Sequence, residues 1–168
     1  GSWLAVWLGE LGAEVQVVAL PPPPGPSHFG AARLAERYAH RDGDIRDPEV
    51  KLIEFDVCKP LPRDLRADYI VHAAGIASPV YYKRYPLETI DVSVTGTRNM
   101  LDHAHATGVR GLLYFSSSEI YGDPDPRCVP TPEEYWGNVS SIGPRSCYDE
   151  SKRLGETLCT TFSWFHHI

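Results

Sequence analysis

Apolar residues along this chain fall into two kinds of segment that alternate. Short, nearly continuous apolar runs predict buried strands at 15–20, 51–57, 68–74 and 111–116. Apolar residues three or four apart predict helices at 1–8, 31–40, 86–108 and 146–165, with Gly12 and Gly108 as helix ends. Trp3 and Trp7 share a face of the first helix and are predicted to be core residues. Strands that alternate with helices and are apolar on both faces predict a doubly wound parallel sheet of the α/β class.

Composition narrows the class of partner. The 168 residues suffice for one domain, predicted to span 1–168, and the formal net charge is −6 without a basic run. This balance argues against nucleic acid or an anionic membrane as the main partner. The sequence shows no bilayer-spanning run and no signal-peptide layout, so we expect a cytoplasmic protein. The four cysteines are scattered and the histidines form no ligand pattern with nearby carboxylates, so we expect reduced thiols and no metal.

Candidate chemistry lies in two segments about thirty residues apart. Tyr148 and Lys152 stand four apart at the start of the last helix and so share a face. An ammonium beside a phenol favours the phenolate, because opposite charges attract. Ser117 follows the strand at 111–116, and its hydroxyl next to the phenol would complete a set able to remove a proton from a substrate alcohol. The pattern predicts oxidation of an alcohol with a nicotinamide cofactor at the carboxyl ends of the strands.

These motifs resemble those of the extended short-chain dehydrogenases/reductases that act on nucleotide sugars. The segments Ser117-Ser118-Glu119, Tyr135-Trp136-Gly137 and Gly143 to Arg153 are most similar to the UDP-glucuronate decarboxylases, whereas residues 1–47 are similar to CDP-glucose 4,6-dehydratases. The resemblance implies a Rossmann-like fold in which Gly1 is the third glycine of the pyrophosphate-binding loop. The first strand and the substrate-binding C-terminal region of the family would then be missing. We therefore expect a fragment that is inactive by itself.

The resemblance also implies cofactor contacts and a dimer. It assigns the adenine site, after one strand, to Asp56 and Val57. It assigns the dinucleotide site, at the end of the next strand, to Ala73, Ala74 and Gly75. Tyr148 and Lys152 are expected to contact the cofactor as well. The family has an acidic residue that binds the adenosine ribose, and the corresponding position in this sequence is Ala19. The choice between NAD and NADP is therefore open, and NAD is the prediction. Family members pair through helices that correspond to 86–108 and 146–165, so we expect a homodimer.

Glu119 and the residue before it help to distinguish decarboxylation from dehydration and epimerisation. The resemblance makes it an acid/base residue, and Ser118 stands where the dehydratases have aspartate. The Ser-Glu pair favours a decarboxylase that converts UDP-glucuronate to UDP-xylose through a 4-keto intermediate, with Ser117, Glu119, Tyr148 and Lys152 as catalytic residues. A 4,6-dehydratase, a 4-epimerase and a non-catalytic dinucleotide-binding module are the alternatives. A packing role for His72 is favoured over a catalytic one, and Tyr81, Tyr82 and Tyr85 could either line the sugar site or pack.

Overall fold

The computed structural model describes residues 2–20 and 50–167. The predicted helix at 31–40, the proline-rich loop at 21–26 and Gly1 lie outside these residues. The chain forms two compact units, Gly1–Asp56 and Val57–Ile168. Whether 1–168 acts as one domain stays a prediction.

The first unit contains a helix and two parallel strands. Helix α1 (Ser2–Glu10) precedes strand β1 (Val15–Ala19), which pairs with β2 (Val50–Glu54) from Val15 opposite Val50 to Ala19 opposite Glu54. Ala5 and Val6 are buried and pack against Val15 and Val17, so the buried face of α1 is not the face predicted from Trp3 and Trp7. The core prediction for Trp7 is wrong, because this side chain is 61% exposed in the structure.

The second unit repeats the alternation of strands and helices. Its strands β3 (Tyr69–His72) and β4 (Gly111–Tyr114) are parallel, with Tyr69 opposite Gly111 and His72 opposite Tyr114. Between them lie α2 (Pro79–Arg84), α3 (Pro86–Asp91) and α4 (Thr97–Thr107), and α5 (Ser146–His166) follows β4. Helix α2 was not predicted, and Pro79 at its first turn is the signal that could have found it. None of the helices in the described ranges is long and apolar enough to cross a membrane.

The predicted helix at 86–108 is interrupted. A wider π-helical turn (Val92–Gly96) separates α3 from α4. Gly96 faces Val57 so closely that a Cβ atom there would lie 3.0 Å from Val57 Cγ2, and Asn99 donates a hydrogen bond of 2.9 Å to the Val57 carbonyl. The end of the segment is as predicted, since Gly108 caps α4 in the left-handed region with φ of 74°. The π-helical turn therefore places Gly96 and the start of α4 in contact with Val57, the first residue of the second unit.

The core of the second unit lies between α4, α5 and the two strands. Its buried apolar side chains are Met100, Leu101, Ala104, Val109 and Phe162. Helix α5 approaches β4 at Gly155, where an added Cβ would lie 2.5 Å from Cζ of Tyr114. A glycine at this point lets the helix that carries the candidate catalytic residues rest directly on the end of β4.

Candidate active site

Tyr148 and Lys152 lie buried on one face of α5, with 6% and 5% of their surface exposed. The Lys152 ammonium donates a hydrogen bond of 2.6 Å to the Phe115 carbonyl, just past the end of β4. It also lies 4.8 Å from the centroid of the Tyr114 ring. Burial lowers the pKa of Lys152, since removal from water disfavours the charged form. The i, i+4 pair predicted from the sequence is thus placed at the carboxyl end of β4.

Tyr82 is the residue that packs on the Tyr148 ring. The two buried rings are stacked, with centroids 5.1 Å apart and planes 11° from parallel. The Cys147 thiol donates to the Tyr82 carbonyl at 3.6 Å, which fixes α2 to the first turn of α5. Tyr81 and Tyr85 are exposed, so the structure distinguishes the three tyrosines that the sequence left together. Among the described residues, the Tyr148 hydroxyl makes no hydrogen bond, whereas its backbone carbonyl accepts one of 3.0 Å from the Ser151 hydroxyl.

Ser117 and Glu119 lie in the tight turn that follows β4. The turn is a 3₁₀ helix at Ser118–Tyr121, and Ser117 caps it by accepting a hydrogen bond of 3.3 Å from the Glu119 backbone N–H. Within residues 2–20 and 50–167, the Ser117 hydroxyl donates no hydrogen bond of its own. The Glu119 carboxylate forms an ion pair with Arg145, which comes directly before α5. Both predicted residues are therefore half-buried at the strand end, and the turn is tied to the start of α5.

Arg145 is a charged residue of this site to which the sequence analysis gave no role. Its Nη2 atom lies 3.6 Å from Oδ1 of Asp149, so one guanidinium stands between the carboxylates of Glu119 and Asp149. Burial raises the pKa of Asp149, and the positive charge of Arg145 opposes that rise. The spacing of Arg145 and Asp149, four residues apart, could have suggested their contact, whereas the pairing of Arg145 with Glu119 is visible only in the structure.

A second arginine holds the loop that carries Glu119. Arg153 Nη1 donates to the carbonyls of Ile120 at 2.8 Å and Trp136 at 2.7 Å. Gly122 has φ of 64°, and a Cβ atom there would lie 2.6 Å from the Asn138 carbonyl carbon, so only glycine fits. Arg153 and Gly122 therefore both hold the chain after Glu119 against the segment that contains Trp136 and Asn138.

His72 ends β3 and is buried, in agreement with the predicted packing role. Its Nε2 atom lies 3.0 Å from the Thr97 hydroxyl, which donates its own proton to the Ser93 carbonyl at 2.6 Å. Nε2 therefore carries the proton and donates it to Thr97. Burial, and then the charge of Lys152, lowers the pKa of His72 to about 4, so the ring is neutral near pH 7.

The residues after β3 fit one part of a nicotinamide dinucleotide. Ala73, Ala74 and Gly75 follow the strand with no side chain larger than methyl, and Ala73 and Gly75 are exposed. A Cβ atom on Gly75 would be 3.7 Å from the Lys152 ammonium, which uses one N–H on Phe115 and so retains two donors. Small residues beside a cation with free donors suit a ribose and a nicotinamide ring.

The other predicted cofactor positions are only partly described. Asp56 and Val57 lie shortly after the end of β2, with Asp56 half-buried and Val57 buried. Ala19 is the last residue of β1. Gly1 lies outside the described residues. In residues 2–20 and 50–167, no three His, Cys, Asp or Glu side chains come together as a metal site.

Comparison with known proteins assigns the class. The NAD dependent epimerase/dehydratase family matches residues 1–164, and the chain belongs to this family. Its doubly wound α/β fold is that of solved relatives. A UDP-galactose 4-epimerase structure is 29% identical with a TM-score of 0.74 over 99% of this chain and 49% of that one. An NAD-dependent NDP-hexosamine 5,6-dehydratase is 26% identical with a TM-score of 0.69 over 97% of this chain and 46% of that one.

Curated sequences narrow the similarity further. UDP-glucuronic acid decarboxylase 5 of Arabidopsis thaliana is 48% identical over 124 residues, which are 74% of this chain and 35% of that protein. UDP-glucuronic acid decarboxylase 1 of Xenopus tropicalis is 47% identical over 112 residues, 67% of this chain and 25% of that protein. The chain thus spans about a third or less of the length of these relatives. The family resemblance predicted from the motifs is confirmed.

Proposed function

We propose that the complete protein decarboxylates UDP-glucuronate to UDP-xylose with NAD. The observation that carries the proposal is the burial of Tyr148 and Lys152 together at the end of β4, with the Glu119–Arg145 ion pair on the turn beside them. The similarity to UDP-glucuronic acid decarboxylases supports the choice of substrate. The presence of Ser118 where a dehydratase would use aspartate supports decarboxylation over dehydration.

In the first step, Tyr148 as phenolate removes the proton from the sugar 4-hydroxyl. The Lys152 ammonium stabilises that negative charge, and Ser117 donates a hydrogen bond to the reacting oxygens. Bound NAD supplies an acceptor that takes up the C4 hydride and later gives it back. The predicted contacts of the cofactor are Gly1, Asp56, Val57, Ala73, Ala74 and Gly75, together with Tyr148 and Lys152.

The second step follows from the chemistry of the oxidised sugar. A ketone at C4 is β to the carboxylate on C5, so the electron pair of the breaking carbon–carbon bond is delocalised into the ketone as CO₂ leaves. C5 then takes up one proton, which Glu119 passes on from solvent water, so that a solvent proton replaces CO₂ at C5. Tyr148 returns its proton to the 4-oxygen when the ketone is reduced, and the protein ends in its starting protonation state.

Replacement of one tyrosine tests the catalytic assignment. Tyr148→Phe in the complete protein should abolish turnover of UDP-glucuronate, because it removes the proton acceptor and leaves the ring stacked on Tyr82. Tyr69→Phe is the matched control, since Tyr69 is exposed at the opposite end of β3. NAD binding, measured by calorimetry, should be retained by both variants. Retained turnover in Tyr148→Phe would refute the assignment.

We also propose a cytoplasmic homodimer. All four cysteines carry free thiols, which suits a reducing compartment. Leu87 on α3 and Phe165 on α5 are 72% and 75% exposed, and apolar side chains on these helix surfaces suit a contact with a second copy. Light scattering of the complete protein should give twice the mass of one chain, and Leu87→Glu should give a monomer. A monomer in the unmodified protein would refute the dimer.

A further inference from the structure

Lys152 is a buried cation that has one hydrogen-bond acceptor, the Phe115 carbonyl, in the part of the chain that the structure describes. Its ammonium donates to the Phe115 carbonyl and is 5% exposed as a residue. A buried charge needs compensation from its surroundings, because it has lost its water. The face of the Tyr114 ring, 4.8 Å from Nζ, is the second electron-rich group in contact with it. An aromatic face attracts a cation, and more strongly when water is excluded.

Tyr114 is itself fixed in place from both sides. Its neighbour across the strand pair is His72, whose ring centroid lies 5.8 Å away. On the other side, the missing Cβ of Gly155 admits the ring against α5, because that Cβ would lie 2.5 Å from Cζ. The Tyr114 hydroxyl is buried and faces the Thr97 hydroxyl. The ring is therefore the part of Tyr114 that contacts the Lys152 ammonium.

We propose that Tyr114 is a positioning residue whose ring face keeps the Lys152 ammonium charged and directed at the end of β4. This role rests on the proposed function, in which Lys152 stabilises the Tyr148 phenolate. Tyr114 acts through Lys152, because its ring face is the part that contacts the ammonium. His72 contributes by being neutral, because a second positive charge beside Lys152 would oppose the first.

The test measures the titration of Lys152 directly. Competitive acetylation of the complete, cofactor-free protein over a range of pH, followed by mass spectrometry of the Lys152 peptide, gives the midpoint for this one amine. The other titratable groups that face Lys152 and Tyr114 are His72 of β3 and Tyr148, Glu156 and Cys159 of α5, all unchanged in the variants. The midpoint reports the charge of Lys152, whereas the amplitude reports its accessibility.

Tyr114→Leu should lower the Lys152 midpoint by about one pH unit, a tenfold loss of preference for the ammonium. Tyr114→Phe is the matched control and should leave it unchanged, since the ring is retained. Fluorinated phenylalanines at position 114 keep the shape of the ring and weaken its negative face, so the midpoint should fall stepwise with each fluorine. An unchanged midpoint in Tyr114→Leu, or throughout the fluorinated series, would overturn the proposal.

Activity separates this proposal from the proposed function. Tyr114→Leu should reduce kcat about tenfold with little change in KM, and should have no further effect in a Lys152→Met protein. If Lys152→Met itself retains full turnover, the proposed function fails. If Lys152→Met is inactive and Tyr114→Leu turns over like Tyr114→Phe, the catalytic assignment stands and the role of Tyr114 is refuted.

Discussion

Gly155→Ala is the substitution for which the structure gives the clearest steric expectation. The new methyl group would lie 2.5 Å from Cζ and 3.1 Å from Cε1 of Tyr114, well inside van der Waals contact. Neither partner moves easily, because the Lys152–Phe115 hydrogen bond ties α5 to the end of β4. Alanine would by itself favour the helix by about 1 kcal/mol. Overpacking at a backbone-to-ring contact costs about 1–3 kcal/mol and is here expected to exceed that gain.

We therefore expect Gly155→Ala to lower the free energy of unfolding by about 1 kcal/mol, the overpacking cost less the gain in helix propensity, measured by urea denaturation of the complete protein. Thr160→Ala, at an exposed position of the same helix, is the control and should stay within about 0.5 kcal/mol of the unmodified protein. Adding Tyr114→Leu to Gly155→Ala should recover part of the loss, because the smaller side chain makes room for the methyl group. A Gly155→Ala protein as stable as the original would show that α5 does not rest on Tyr114.

Three further substitutions test other contacts. His72→Gln should flatten the pH dependence of stability between pH 6.5 and about 4. With a lowered folded-state pKa, the unfolded chain binds the extra proton, so His72 removes up to about 3 kcal/mol of stability as pH falls through that window. Gly122→Ala should lower kcat by at least about tenfold, since the added Cβ would lie 2.6 Å from the Asn138 carbonyl carbon and displace the catalytic turn. Tyr82→Leu should lower kcat by about tenfold, because the Tyr148 ring loses its stacked neighbour.

Each of these has a control and a contrary outcome. The His72 effect is measured as urea midpoints at several pH values, and a difference from the unmodified protein that does not vary with pH contradicts it. Gly12→Ala has a similar positive φ but no neighbour within 4 Å, so it should cost only local strain. Tyr82→Phe keeps the stacked ring and should retain turnover. Equal kcat values in Tyr82→Leu and Tyr82→Phe would show that stacking of Tyr82 on Tyr148 does not contribute to catalysis.

The sequence predicted the alternation of elements well because the strands and helices carry strong local patterns. The strand at 15–20 and the helix at 146–165 occur at Val15–Ala19 and Ser146–His166, and Gly108 ends its helix as expected. The break at Val92–Gly96 could not be predicted, since it depends on contact of Gly96 and Asn99 with Val57, some forty residues earlier. Apolar spacing also failed for Trp7, because periodicity shows a shared face but not whether that face is covered.

The candidate site was likewise predictable from the sequence only in part. Tyr148, Lys152, Ser117 and Glu119 could be found from spacing and resemblance, and the structure places them around the end of β4 and the start of α5. The residues that hold them could not be found in this way. Tyr82 stacks on Tyr148, the Tyr114 ring faces Lys152 and Arg145 pairs with Glu119, and each of these contacts joins segments that are distant in the sequence. They leave no spacing signal in a single sequence.

The measurement that tests the central claim most directly is the mass of the product formed when the complete protein receives NAD and UDP-glucuronate. We expect loss of CO₂, a product with the mass of UDP-xylose, and no net consumption of NAD. Unchanged UDP-glucuronate, together with dehydration or epimerisation of a neutral nucleotide hexose, would contradict the decarboxylase assignment and leave the Tyr148–Lys152 chemistry in place. Binding of NAD without turnover of any nucleotide sugar would contradict the enzyme assignment itself.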